Sequence, residues 1–227
     1  MKGPEQLSVV QLVDDDADVR RALARLLAAA GVPVRTFASA EEFLALLELD
    51  PTELESASCL VLDLRMPGAS GLDLQGALAA RGIELPVVFL TGHGDVRSSV
   101  SAMKSGAIDF LQKPVDAAEL LAAVARAREL RVARRTAALE LAELKRRFDS
   151  LTPREQQVMA LVVEGRLNKQ VAAALGAAEK TVKVHRGRVM EKMGAASLAD
   201  LVKRATRLLT SGSDTTRLLN RPGDRPE

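Results

Sequence analysis

The 227-residue chain has no tryptophan and no tyrosine, and five phenylalanines are its only large aromatic side chains. Intrinsic fluorescence is therefore of little use for following a ligand. It has one cysteine, Cys59. A single thiol excludes an internal disulfide framework and fits a reducing cytoplasm. Cys59 lies in an apolar run, where a packed and inert thiol is expected. No run of about 18 or more apolar residues occurs, so no membrane span is expected. The opening "MKGPEQLSVV" lacks an apolar segment followed by a cleavage site, so export is not expected either.

What is present is enough chain for two domains, each able to bury its own core, with an ordinary 47% of hydrophobic residues. A net charge of +2 hides a division. Residues 1–116 carry 10 Lys+Arg against 17 Asp+Glu, a net of −7, and residues 117–227 carry 22 against 13, a net of +9. The two halves call for different partners, a cation for the front and nucleic acid for the rear.

Through the first 130 residues short apolar runs alternate with helical periods. The strand candidates are "VVQLV" (9–13), "PVRTF" (33–37), "CLVLD" (59–63), "PVVFLT" (86–91) and "IDFLQ" (108–112). Strands alternating with 10–15-residue helices imply crossover units and a parallel sheet. The first, third and fourth are apolar almost throughout, as strands covered on both faces should be. The fold class predicted is a doubly wound α/β domain of five parallel strands in the order 2-1-3-4-5, followed by an all-α domain. Residues 116–148 contain no Gly or Pro. Leu130, Ala133, Ala137, Leu141, Leu144 and Phe148 recur there at helical steps. Two readings stay open: a seam joining two protomers, or an extended last helix serving as a charged linker. In "SLTPRE" (150–155), Ser150 or Thr152 can cap a new helix with Pro153 at its first position. Helical patterns then run to about 209, broken at Gly165, Gly176 and Gly194. The divisions expected are 7–125, a helical linker 126–148, a helical domain 149–210, and a flexible tail 211–227.

Polar residues gather at the carboxyl ends of the strands: Asp14 and Asp15 after the first, Asp63 after the third, Thr91 after the fourth, Lys113 after the fifth. In the order 2-1-3-4-5, strands one and three flank the crevice where open α/β sheets bind ligands. Oxygen ligands without His or Cys favour a hard ion such as Mg²⁺, which shares its shell with phosphate oxygens. Lys113 and Thr91 suit the same phosphate, one as a point charge and the other by a hydrogen bond. Asp63, between metal and lysine, is the carboxylate best placed as nucleophile, giving an acyl phosphate. Asp16 reads as a helix cap and His93 as a solvated loop residue.

"VDDD", "VLDLRMPGASG", "FLTGHGDV" and "AIDFLQKP" resemble, in order and over about residues 7–125, the receiver domain of two-component response regulators. The resemblance implies that a sensor histidine kinase phosphorylates Asp63. It also implies that Asp14, Asp15, Asp63 and the backbone carbonyl of Arg65 hold Mg²⁺, and that Thr91 and Lys113 bind the phosphoryl group. Phe110 would be the aromatic that turns inward with Thr91 on phosphorylation.

Residues 151–210 carry 11 Lys+Arg against 5 Asp+Glu. "NKQVAAALGAAEKTVKVHRGRVMEKMG" reads as helix, turn, helix, with Asn168 as cap and Gly176 as terminator. Val182, Val189 and Met193 form a core face, with His185 packed beside them. Lys180, Lys183, Val184, Gly187 and Arg188 lie opposite, as on a recognition helix for the major groove. The stretch from "LTPREQQ" to "LADLVKRA" resembles the LuxR-type DNA-binding domain. That resemblance implies Lys183, Val184 and Gly187 towards bases and Lys169, Lys180 and Thr181 near phosphates. With no side chain on Gly187, specificity falls more on Lys183 and Arg188. The last helix would supply a dimer surface, with Leu198, Leu201, Val202 and Leu208 as its candidates.

Together the motifs are similar to FixJ-like response regulators, which implies a non-enzymatic, cytoplasmic transcriptional regulator. Its expected partners are the kinase, double-stranded promoter DNA, a second copy on activation and RNA polymerase. Activation can run through dimerisation or through release of the output domain. The alternative is a phosphorelay or scaffold protein whose helical domain binds protein rather than DNA.

Overall fold

The computed structural model describes residues 9–50, 52–92 and 106–210. The expectations on His93 and on the tail from Ser211 lie outside the described residues. The chain divides into two compact units, Met1–Arg135 and Thr136–Glu227.

The first unit runs β1 (Val9–Val13), α1 (Ala17–Ala29), β2 (Val34–Phe37), α2 (Ala40–Leu49), α3 (Glu53–Ser56), β3 (Ala57–Asp63), α4 (Gly71–Ala80), β4 (Val87–Thr91), β5 (Asp109–Gln112) and the start of α5 (Ala117–Asp149). The five strands are all parallel, as the alternation of apolar runs and helical periods predicts, and they lie in the expected order β2-β1-β3-β4-β5. The one-turn α3 was not expected from the sequence; it delivers the chain into β3 at Ala57, two residues ahead of the apolar run at Cys59.

Successive side chains of a strand point to opposite faces, and here both faces are covered. Val13, Leu60, Leu62 and Phe89 pack with Phe43 and Leu47 of α2 and Leu74 and Leu78 of α4. Val10, Leu12, Val61 and Val88 pack with Leu23 and Leu27 of α1 and Leu120 and Val124 of α5. Cys59 is fully buried in that second layer, and burial pushes its thiol up to about 12, so it is inert. Registers of Val13 opposite Leu62, Asp63 opposite Leu90, and Thr91 opposite Gln112 bring the carboxyl ends level. Chemistry confined to those ends therefore shares one rim.

Two local rules fix the connections on that rim. Asp16 caps α1, accepting from the N–H of Asp18 at 2.8 Å and of Val19 at 3.2 Å. Ser70 and Asp73 form a reciprocal capping box that starts α4. At the next residue, Gly71, a Cβ would collide with the carbonyl oxygen of Asp63 and stand 3.0 Å from Phe89 Cε1 and 3.1 Å from Leu62. The helix can begin this close to the end of β3 only because that position carries no side chain.

The second unit contains the rest of α5, then α6 (Pro153–Val163), α7 (Asn168–Leu175), α8 (Glu179–Met193) and α9 (Leu198–Thr210). Thr152 caps α6 with Pro153 first and Glu155 closing the capping box, and Gly176 and Gly194 end α7 and α8 in the left-handed conformation. Asn168 is not the cap expected of it. It is the first residue of α7, and its Oδ1 accepts from Arg186 Nη1 of α8 at 3.1 Å. Leu167 holds the cap position, and its N–H goes to Gln170 Oε1 at 2.9 Å.

Two further expectations change because amphipathic spacing shows a face to be apolar without showing what covers it. Leu144 and Phe148, placed in a possible inter-protomer seam, lie in this unit's own core beside Val158, Met159, Val182 and Leu201. Leu201 and Leu208, proposed as dimer contacts, are 0% and 3% exposed in that core, so a partner could reach them only by opening it. Leu198 stays exposed and Val202 half-buried.

Candidate functional site

Asp14 follows β1 and is fully buried, and Asp63 ends β3 with 7% exposure, while Asp15 faces solvent. Carboxylate oxygens of the three lie within 4.8 Å of one another. Asp14 is held from both sides. Its Oδ1 accepts the Asp16 N–H at 2.9 Å, and its carbonyl accepts from Arg20 Nη1 at 2.5 Å. Asp63 Oδ1 accepts the Arg65 N–H at 3.1 Å.

Lys113 closes the pocket. Its Nζ donates to Asp63 Oδ2 at 2.6 Å and lies 2.7 Å from Asp14 Oδ2. The second contact pairs the same ammonium with the buried Asp14 carboxylate. Burial pushes the Asp14 carboxyl above its usual range. Lys113 offsets this only in part, and the Asp63 charge adds to it. For Lys113, burial works against the ammonium, but the hydrogen bonds and charges of Asp14 and Asp63 outweigh it and hold the group above its usual value. The pocket thus contains a fixed cation, two buried carboxyls and the exposed carboxylate of Asp15 beside them. An all-oxygen donor set with its carboxylate oxygens within 4.8 Å of one another fits a hard divalent cation such as Mg²⁺.

Thr91 ends β4 at 8% exposure, and its Oγ1 donates to the Gly92 carbonyl at 3.0 Å. Its own carbonyl accepts the Lys113 N–H at 2.8 Å, tying the ends of β4 and β5 together. Phe110 is half-buried and stacks on Phe89, with ring centroids 5.3 Å apart and planes 14° from parallel. The structure therefore gathers Asp14, Asp15, Asp63 and Lys113 into one cluster and sets Thr91 on the adjoining strand end. Phe110 lies on the sheet face, against the α2–α4 layer.

In the second unit Val182, Val189 and Met193 of α8 are buried, and Lys180, Thr181, Lys183, Val184, Gly187 and Arg188 are exposed along with Lys169 of α7. His185 is half-buried, and its Nδ1 is enclosed without a hydrogen-bond partner, as suits a packed residue. Arg186 is not part of the outward basic face, because Asn168 takes its guanidinium.

Sequence reasoning missed the residues that aim α8. Glu155, 2% exposed, pairs with Lys192 Nζ at 2.7 Å, and Lys192 also donates to the Ser150 carbonyl at 3.0 Å. Arg154 Nη2 donates to the Leu175 carbonyl at 2.6 Å, fixing the end of α7. The capping-box pattern gives Glu155 its first role. Nothing in that pattern signals a second, with a lysine 37 residues on.

The first unit is thus a doubly wound α/β domain with carboxylates and a lysine converging at its switch point, and the second is a helix-turn-helix domain with a basic outer face. The profile of the response regulator receiver domain matches residues 10–125, and that of bacterial regulatory proteins of the luxR family matches residues 149–205. Nodulation protein W of Bradyrhizobium diazoefficiens is 50% identical over 208 residues, 92% of this chain and 89% of its own length. The transcriptional regulatory protein FixJ of Azorhizobium caulinodans is 45% identical over 89% of this chain and 93% of its own. The solved structure of the response regulator StyR is 45% identical and covers 88% of this chain and 98% of its own, with a TM-score of 0.75. The chain belongs to the FixJ-like response regulators, two-component transcriptional regulators that join a receiver domain to a LuxR-type DNA-binding domain.

Proposed function

We propose that Asp63 is the phosphoacceptor, that Asp14, Asp15, Asp63 and the Arg65 backbone carbonyl hold Mg²⁺, and that Thr91 and Lys113 receive the phosphoryl group. The observation carrying this reading is the contact of Lys113 with both buried carboxylates, in a pocket where carboxylate oxygens of Asp14, Asp15 and Asp63 lie within 4.8 Å of one another. A carboxylate oxygen of Asp63 attacks the phosphorus of a phosphohistidine on the kinase. The new O–P bond forms as the N–P bond breaks, its electron pair passing to the imidazole nitrogen. Mg²⁺, when bound, neutralises charge on the transferred group. Lys113 orients the acceptor beforehand and pairs with the phosphoryl oxygens afterwards. The chain performs no turnover of its own beyond slow loss of the phosphoryl group to water.

Phosphorylation then draws Thr91 towards the new phosphoryl group and Phe110 inward behind it, altering the receiver surface. The output is a homodimer in which two copies of α8 enter successive major grooves of promoter DNA, in the cytoplasm and within reach of RNA polymerase. Lys183, Val184, Gly187 and Arg188 face bases, and Lys169, Lys180 and Thr181 face phosphates. No helix among the described residues is long and apolar enough to cross a membrane. The domain divisions at 7–125, 126–148 and 149–210 suit this scheme. The testing experiment measures DNA binding with and without a small phosphodonor plus Mg²⁺, in wild type and Asp63→Asn. Enhancement confined to wild type supports the assignment, and equal responses in both overturn it.

A further inference from the structure

Glu41 stands in the first turn of α2, exposed to solvent and remote in sequence from the acidic pocket. Its Oε1 nevertheless accepts the backbone N–H of Ala69 at 3.0 Å, a bond spanning 28 residues. Ala69 belongs to the connection between β3 and α4, the stretch that leaves Asp63 and carries Arg65. Other backbone donors of this connection are satisfied close at hand. The Arg65 N–H goes to Asp63 Oδ1 at 3.1 Å, the Ser70 N–H to Asp73 Oδ2 at 2.9 Å, and the Gly71 N–H to the Leu64 carbonyl at 3.1 Å. Ala69 ties the connection to a different element instead.

The surrounding sequence is fitted to that tie. Gly68 has φ +79°, and a Cβ there would stand 2.8 Å from Glu41 Oε1, so both its conformation and its missing side chain leave room for the carboxylate. Met66, buried in the core below, anchors the same stretch from inside. The Ala69 N–H also holds the Glu41 carboxyl below its usual range, as a donor aimed at the carboxylate should.

We propose that Glu41 is a positioning residue for the phosphoacceptor site. By holding Ala69 it fixes the arc of the β3–α4 connection, and with it the Arg65 backbone carbonyl. The inference rests on the reading of that carbonyl as a metal ligand. Mg²⁺ demands near-ideal octahedral placement of its oxygens, so a carbonyl on a slack loop is a poorer ligand than one held from both ends. Groups that orient a metal ligand typically govern affinity by about tenfold to a hundredfold, and Glu41, which acts on Arg65 through the connection and not by direct contact, belongs at the lower end.

The test uses the full chain and two variants, Glu41→Ala, which removes the acceptor, and Glu41→Gln, which keeps one. Calorimetry gives the Mg²⁺ dissociation constant, and hydrogen exchange gives protection at the Ala69 amide. Glu41→Ala is expected to weaken Mg²⁺ binding about tenfold and to deprotect Ala69, with Glu41→Gln close to wild type in both. Labelling of Glu41→Ala by a small phosphodonor should recover at saturating Mg²⁺. Unchanged Mg²⁺ affinity in Glu41→Ala overturns the proposal, as does equal weakening by both variants, which would mean that charge rather than the hydrogen bond is at work. Asp14→Asn separates the two levels. If it and wild type bind Mg²⁺ alike, the metal site itself is misassigned and the proposal falls with it.

Discussion

Lys113 Nζ donates to Asp63 Oδ2 at 2.6 Å across 50 positions of sequence, so the end of β5 supplies the counter-charge for the end of β3. Removing one partner of such a pair leaves the other charge poorly compensated. Lys113→Ala therefore leaves Asp63 and Asp14 to their mutual repulsion and, on the proposed function, removes the cation that would receive the phosphoryl group. A charge-assisted hydrogen bond contributes about 1.5–3 kcal/mol, so labelling by a small phosphodonor should slow by roughly tenfold to a hundredfold. Residual label on Asp63 should no longer raise DNA affinity. Quantifying acyl phosphate alongside DNA binding checks both parts, and a labelled variant that still switches would remove Lys113 from the conformational step.

The buried Glu155 gives the second unit an acid-sensitive joint. Burial alone would push its carboxyl up, but the hydrogen bonds from Lys192 and from the backbone and hydroxyl of Thr152, with the Lys192 charge, hold it below its ordinary value of 4.5. A depressed folded-state value means that stability is fully present above pH 4.5 and is lost as pH falls through the lower folded value. Glu155→Gln should cost about 1–3 kcal/mol at neutral pH, and the penalty should shrink as the solution is acidified. Scanning calorimetry of the full chain between neutral and acid pH reads this as two stability curves that converge. Parallel curves would show that Glu155 does not titrate with folding.

Legibility differed sharply between chemistry and support. Asp14, Asp15, Asp63, Thr91 and Lys113 could be grouped from sequence because each follows an apolar run, and strand order alone then brings them to one rim. Asp16 was legible as a cap because its only duty is local. Glu41 was not, since its partner is a backbone N–H, which leaves no trace in residue identity. Lys192 behind Glu155 and Arg186 behind Asn168 were hidden for another reason. Each partner is a side chain on a different helix, 37 and 18 positions away, and only the packing of the helices brings them together. Leu144, Phe148, Leu201 and Leu208 carry the right spacing for an interface. Spacing does not distinguish a second copy from the chain's own core, and here the core takes them.

On DNA the two classes of lysine should separate. Lys169 lies exposed on the first turn of α7 and Lys183 on the outward face of α8. A phosphate contact carries no sequence information, so Lys169→Ala should weaken cognate and random duplexes alike and reduce the salt slope by about one. Lys183→Ala should cost about 1–3 kcal/mol on the cognate site only and relax the preference at one position. Salt titrations on both duplexes distinguish the two. Uniform loss for Lys183→Ala would move that residue to the backbone-contacting set.

Gly187 provides a control on the same helix face. It sits inside α8 with ordinary negative φ, and a Cβ added there meets nothing within 4 Å. No packing or backbone strain therefore opposes a side chain, while glycine in a helix interior costs about 1 kcal/mol relative to alanine. Gly187→Ala should stabilise the second unit by about that amount, with affinity for random duplex unchanged because no charge is altered. If the cognate site alone loses affinity, the α8 backbone comes close enough to a base for a methyl group to intrude, and the glycine is kept for recognition at the expense of stability. If cognate binding is also unchanged, reading of the bases rests on Lys183 and Arg188. Thermal unfolding followed by binding to paired cognate and random duplexes decides between them.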